Sequence, residues 1–220
     1  MRFDGMKPEN IVNAFLKDVQ ILFVRVNGIF YNSKPYKEMR KGNKINTIKF
    51  PYITKIYSIN EHNQEYFYSL HFISKDFFLS HKCYIMLYTS AHLNVFGKIT
   101  KCIILYKKSF YGEDEVRIIQ MHAIDRFMER NNLNSREDAV KTLVQSDREM
   151  VKKRPYKGDD RCVVIRYEDF DGEFRGINYG NYIFCNTFYS DNMLKKEESD
   201  RTFCKLNERF MLKQRIRDVI

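Results

Sequence analysis

The chain of 220 residues contains no tryptophan. No apolar run approaches the roughly 20 residues that a membrane-spanning helix needs, so no membrane partner is expected. The N-terminus has no apolar core of the kind a secretory signal carries, and the expected location is cytoplasmic. Cysteine is sparse. Cys83, Cys102, Cys162, Cys185 and Cys204 are odd in number, scattered, and never in a C-x-x-C. That excludes a regular disulfide framework and fits reduced, mostly buried thiols in a cytosol. His62, His71, His81 and His92 are strewn along the first half, with no H-x-x-x-H or H-x-E. No metal and no cofactor is therefore expected, and the four read as individual core or surface histidines. There is no internal repeat and no low-complexity segment.

What is present is ample apolar material. The hydrophobic fraction is 44%, enough for a packed core, and the aromatic fraction of 15%, all Tyr and Phe, favours sheet. The formal charge of +10 is unevenly placed. Residues 1–110 hold 17 Lys and Arg against 7 Asp and Glu, whereas residues 111–220 hold 21 against 21. The whole surplus lies in the first half. A basic surface suits a polyanion such as RNA or other nucleic acid, or serves solubility alone.

In chain order, Pro8 to Val19 has the spacing of a helix, with Ile11, Val12, Phe15, Leu16 and Val19 on one stripe. Gln20 to Tyr31 is apolar and β-branched, and Asn27-Gly28 marks a hairpin turn within it. Residues 32–46, with Lys34, Lys37, Arg40, Lys41 and Lys44, read as an exposed basic loop. A solvated loop is its plain reading; a phosphate track is the other. Strands are expected at 52–58, 66–72, 84–88 and 100–107, with a turn at 60–63 and a short helix over 90–96 closed by Gly97. The stretch from Lys108 to Glu115 is a turn and the candidate boundary between a basic, strand-rich region, 1–110, and a second domain, 111–220.

The second half begins with Val-Arg-Ile-Ile (116–119) and a helix from Met121, ending near Asn131-Asn132. A second helix starts at Ser135, with Asp138 as a capping partner, and carries Ala139, Val140, Leu143 and Val144 on one stripe. The basic run Lys152-Lys153-Arg154 and Pro155 follow its end. Strands at 161–167, 173–179 and 182–189 are separated by Asp171-Gly172 and Gly180-Asn181, and the tail from Asp191, notably 205–217, reads as helix. The expected class is α+β: two helices followed by an antiparallel meander, behind a strand-rich mixed N-terminal half.

The helix from Met121 is the most suggestive element. At ~100° per residue, His122, Asp125, Arg126, Glu129 and, more marginally, Arg130 share one side, while Met121, Ile124, Phe127 and Met128 take the other. Arg126 and Arg130 are like charges at i,i+4, and so are Asp125 and Glu129. Each such pair costs an isolated helix roughly 0.2–0.5 kcal/mol, which the opposite pair Arg126 and Glu129 offsets in part. Two arginines beside a histidine suit an external anion. The plain alternative is a solvated helix face.

The order strand, His-Ala-x-x-Arg-x-x-x-Arg helix, second helix and three-stranded meander resembles small bacterial toxin-like domains of the barnase, colicin and RelE ribonuclease fold group. A related set of uncharacterised bacterial domains carries a similar helix. The matching residues are His122, Ala123, Arg126 and Arg130, and Thr187 and Tyr189 occupy places where the closing strand of such domains carries a polar Thr or Tyr. The resemblance covers residues 116–190, about a third of the chain. It leaves the N-terminal half unmatched, and the neutral second half departs from the basic character of RNA-cutting domains.

Two functions follow. The resemblance implies a metal-independent, toxin-related endoribonuclease that cleaves by attack of the ribose 2′-OH, with a cognate antitoxin or the ribosome as a further partner. Such chemistry needs a proton acceptor, a proton donor and positive charge at the phosphorane oxygens. His122 in the first helical turn is the expected base, Arg126 and Arg130 the phosphate clamp, and Thr187 or Tyr189 the closing group. Arg161 and Arg166, with Lys34, Lys37, Arg40 and Lys41, are the candidates for substrate binding. The alternative is a non-enzymatic nucleic-acid-binding or interaction protein with a degenerate ribonuclease fold, its basic first half making the contacts.

Overall fold

The computed structural model describes residues 2–41, 53–57, 64–74, 81–109, 114–146, 152–156, 159–167 and 170–194. Their centre is one mixed sheet of nine strands in the order β1-β2-β3-β4-β5-β9-β8-β7-β6. Strands β1 (Ile53–Tyr57), β2 (Glu65–Ser74), β3 (His81–Val95), β4 (Lys98–Ser109) and β5 (Glu115–Gln120) form one antiparallel run. Strands β6 (Lys152–Tyr156), β7 (Asp159–Arg166), β8 (Glu173–Asn178) and β9 (Ile183–Tyr189) form another. The two runs meet where β5 lies parallel to β9, Ile118 opposite Phe184. A parallel pair requires a crossover. Helices α3 (Met121–Arg130) and α4 (Arg136–Ser146) supply it, carrying the chain from β5 to the far edge at β6. β4 and β5 pair as neighbours in this sheet, on either side of the boundary expected near residue 110.

Each sheet face has its own core. Helix α1 (Pro8–Asn32) lies on one face, with Ile11, Phe15, Val19, Leu22 and Val26 against Ile85, Leu87, Ile104 and Ile118. Helices α3 and α4 cover the other, with Ile124, Phe127, Leu143 and Val144 against Ile103, Leu105, Ile119 and Phe188. The alternation along β4 makes this double burial possible: Cys102, Ile104 and Tyr106 serve the first core, Ile103 and Leu105 the second. Phe127 is the hub of the second core, with its ring 4.9 Å from Phe170, 5.6 Å from Phe174 and 5.3 Å from Phe188.

Several expectations are corrected. Asn27-Gly28 is no hairpin turn, because α1 runs unbroken to Asn32. The stripe Val19, Leu22, Val26 continues the helical spacing of Ile11 and Phe15, and burying that stripe outweighs the turn preference of two residues. The loop expected over 32–46 contains α2 (Lys34–Arg40), anchored by Tyr36 against the α1 core; residues 42–46 lie outside the described residues. Residues 90–96 are not a helix. Ala91, Leu93 and Val95 are buried in alternation, so β3 runs straight through to a tight turn at Phe96 and Gly97. Both turn residues have positive φ, 52° and 80°, the twist a two-residue hairpin demands. The meander has four strands, since Lys152 to Tyr156 forms β6 at the sheet edge. An edge strand is where Pro155 and a lysine run are tolerated.

Other expectations hold. Asn132 leaves α3 with φ 52°, and Ser135 and Asp138 form the expected box: the Asp138 amide donates to Ser135 Oγ at 3.0 Å. Strands β7, β8 and β9 stand where they were expected, with Gly172 at φ 128° between β7 and β8. The turn at 60–63 and the tail helix at 205–217 lie outside the described residues. No helix among the described residues is long and apolar enough to cross a membrane.

Candidate functional site

Helix α3 follows β5 with no intervening loop: Gln120 ends the strand and is also the helix N-cap. The apolar side, Ala123, Ile124 and Phe127, is fully buried, so the polar side is fixed outward. His122 is exposed in the first turn and makes no hydrogen bond to a described residue. The rest of that side is committed within the molecule. Asp125 accepts two hydrogen bonds from the Arg136 guanidinium at 2.5 and 2.8 Å, tying α3 to the start of α4. The same pairing raises the pKa of Arg136 above its ordinary value. Arg126 donates to Glu129 at 3.0 Å.

Arg130 has a different task. The last β5–β9 partners are Ile119 and Cys185, so β9 runs on past the end of β5. Backbone groups on that side of β9 then lack a strand to bond. Arg130 donates a hydrogen bond to the Phe188 carbonyl there. Burial, and then the nearby Arg126 charge, hold the Arg130 pKa below its ordinary value.

Thr187 and Tyr189 flank Phe188 on β9. Phe188 points into the α3 core, so its neighbours in the alternation project from the opposite face. Tyr189 packs there with Cys162 and Val164, its ring 4.5 Å from the Arg175 guanidinium. Its oxygen still lies within electrostatic reach of Arg130. Arg166 donates two hydrogen bonds to Asp191 at 3.0 and 2.5 Å, which raises its pKa, while Arg161 is exposed near the start of β7. Lys34, Lys37, Arg40 and Lys41 sit along α2, exposed, on the α1 side of the sheet. The structure therefore keeps His122, Arg126 and Arg130 on one helix, with Tyr189 within electrostatic reach of Arg130, and leaves Thr187, Arg166 and the α2 cations elsewhere.

A second feature was not anticipated. On the α4 side of the sheet lies a groove of about 320 Å³, bounded by Phe67, Tyr88, Lys101, Met121, Arg136 and Lys141 among others. Phe67 and Tyr88 stack across β2 and β3 with centroids 5.1 Å apart and 17° between planes. Only the strand register shows this pair. The expected strands contained both rings, yet nothing local set Phe67 opposite Tyr88. Among the described residues, no three His, Cys, Asp or Glu side chains gather to hold a metal ion.

No protein-family model matches the chain, and neither a curated protein nor a solved structure matches it.

Proposed function

We propose that the protein binds nucleic acid, RNA in the first instance, and that the polar side of α3 is not a hydrolytic centre. The observation that carries this reading is the commitment of the α3 face. Asp125 is bound by Arg136 and Arg130 by the Phe188 carbonyl, while Arg126 meets Glu129 in an exposed ion pair. Cleavage without a metal needs two proton-transfer groups and free positive charge at one phosphate. Thr187 projects from the other face of β9, and the carboxylates beside His122 are paired with Arg126 and Arg136. The surplus of basic side chains in residues 1–110 supplies the attraction for a polyanion.

The order β5, α3, α4 and meander supports a likeness of residues 116–190 to the barnase, colicin and RelE fold group, with β6 as an added edge strand. An endoribonuclease is the second reading. One observation favours it: His122 is exposed and without a protein partner among the described residues, one turn from Arg126. A ribosome or a cognate antitoxin would be a partner under that reading. The test is incubation of single-stranded RNA with the full chain in EDTA, scoring binding and strand length together. Intact, bound RNA supports the first reading. Cleavage that a folded His122→Ala protein has lost supports the second.

A further inference from the structure

The groove between the sheet and α4 has the parts of a nucleotide site. Its volume, about 320 Å³, lies at the small end of ligand pockets, the size for one ring system and its attached groups. One wall is aromatic, the stacked Phe67–Tyr88 pair. The rim is cationic: Lys101, Arg136 and Lys141 stand against the single carboxylate of Glu137. Two of those cations are oriented by acids. Lys141 meets Glu137 at 2.7 Å and Arg136 is held by Asp125. Lys101 is exposed near the start of β4 and has no ion-pair partner among the described residues. Tyr88 is 6% exposed as a residue and lines the groove. Burial pushes its pKa up to about 12, so at neutral pH it is a proton donor.

We infer that this groove holds one nucleotide unit, its base against the Phe67–Tyr88 wall and its phosphate at Lys101. The inference rests on the nucleic-acid-binding reading and gives that reading a place on the surface. An aromatic wall accepts the π-face of any base, while the Tyr88 hydroxyl offers a hydrogen bond to a base carbonyl or ring nitrogen. Lys101 meets the phosphate as a compact charge. A free nucleotide and a nucleotide within a single strand present the same chemistry to these groups.

The test uses the full chain with two probes: a short fluorescein-labelled oligouridylate read by anisotropy at low salt, and unlabelled uridine monophosphate as competitor and by calorimetry. The variants are Phe67→Leu, which keeps apolar volume, Tyr88→Phe, which removes only the hydroxyl, and Lys101→Gln. Thermal denaturation establishes that each is folded. The expected result is weakening of roughly 5- to 100-fold for Phe67→Leu, the range that base–aromatic stacking commands. Lys101→Gln is expected to reduce the slope of log affinity against log salt by about 1. Competition by the mononucleotide completes the support. Mononucleotide binding that the variants weaken, with no oligonucleotide binding, upholds the groove and makes the free nucleotide its ligand; the polynucleotide reading then fails. Oligonucleotide binding that all three folded variants retain overturns the groove and leaves that reading standing. Binding of neither probe overturns both.

Discussion

Arg130→Ala separates a structural arginine from a phosphate clamp. Arg130 closes α3 onto β9 by donating to the Phe188 carbonyl, at the place where β9 has outrun β5. A hydrogen bond from a charged donor contributes about 1.5–3 kcal/mol. Arg130 is half-buried, so water can replace part of that contact, and a loss of about 1–2 kcal/mol is expected once solvent screening is allowed for. The lost packing of the arginine stem acts in the same direction. For a chain of this size each kcal/mol shifts Tm by roughly 2–4 °C, giving a fall of about 2–8 °C. Urea denaturation is the assay: the midpoint should drop with the slope unchanged, since the unfolded surface is the same. RNA affinity per folded molecule should stay within about twofold, a change worth under half a kcal/mol. Unchanged stability together with a tenfold or greater loss of affinity would falsify the reasoning, because Arg130 would then be holding phosphate rather than β9.

Glu173 and Arg175 form a fully buried ion pair at 2.8 Å, so Glu173→Ala should cost about 3–5 kcal/mol by urea denaturation; a loss under about 1 kcal/mol would show the pair to be solvated. Gly176 lies at the β8–β9 bulge, where a Cβ would stand 2.4 Å from the Phe184 carbonyl oxygen, and Gly176→Ala should lower stability by about 1–3 kcal/mol. Burial pushes the Cys102 and Cys185 thiols from their ordinary value of 9.0 up to about 12. The unfolded chain therefore loses these protons first, and stability should fall as pH rises from about 9 to about 12. Urea midpoints across that range test this, and a Cys185→Ala protein should show a shallower fall than the wild type.

The elements that could be read from sequence are those whose signals are local. The Ser135 and Asp138 box, the Asn131-Asn132 exit and the turns at Asp171-Gly172 and Gly180-Asn181 all depend on a few adjacent residues, and they stand where expected. Misreadings arose where a local turn signal competed with a long-range surface. Asn27-Gly28 lies inside a helix because the sheet offers α1 a continuous apolar floor. Ala91, Leu93 and Val95 alternate as a strand because β4 lies beside them, Ala91 opposite Cys102. In the candidate site, helical spacing places His122 and Arg126 on one side of α3 and Arg130 more marginally, and in the structure Arg130 turns to the Phe188 carbonyl. Their partners were not legible, because Arg136 comes from the next helix and the Phe188 carbonyl from a strand 58 residues away. The alternation that turns Thr187 and Tyr189 away from α3 depends on Phe188 choosing the Phe127 core. The Phe67–Tyr88 wall likewise exists only through register.

The most direct measurement takes the wild-type chain and His122→Ala with end-labelled single-stranded RNA in EDTA, across a salt series. Bound fraction and strand length are read from the same samples. Binding should fall steeply with salt, the RNA should stay intact, and the folded variant should match the wild type. Cleavage by the wild type that His122→Ala abolishes, or absence of binding at the lowest salt, would contradict the account.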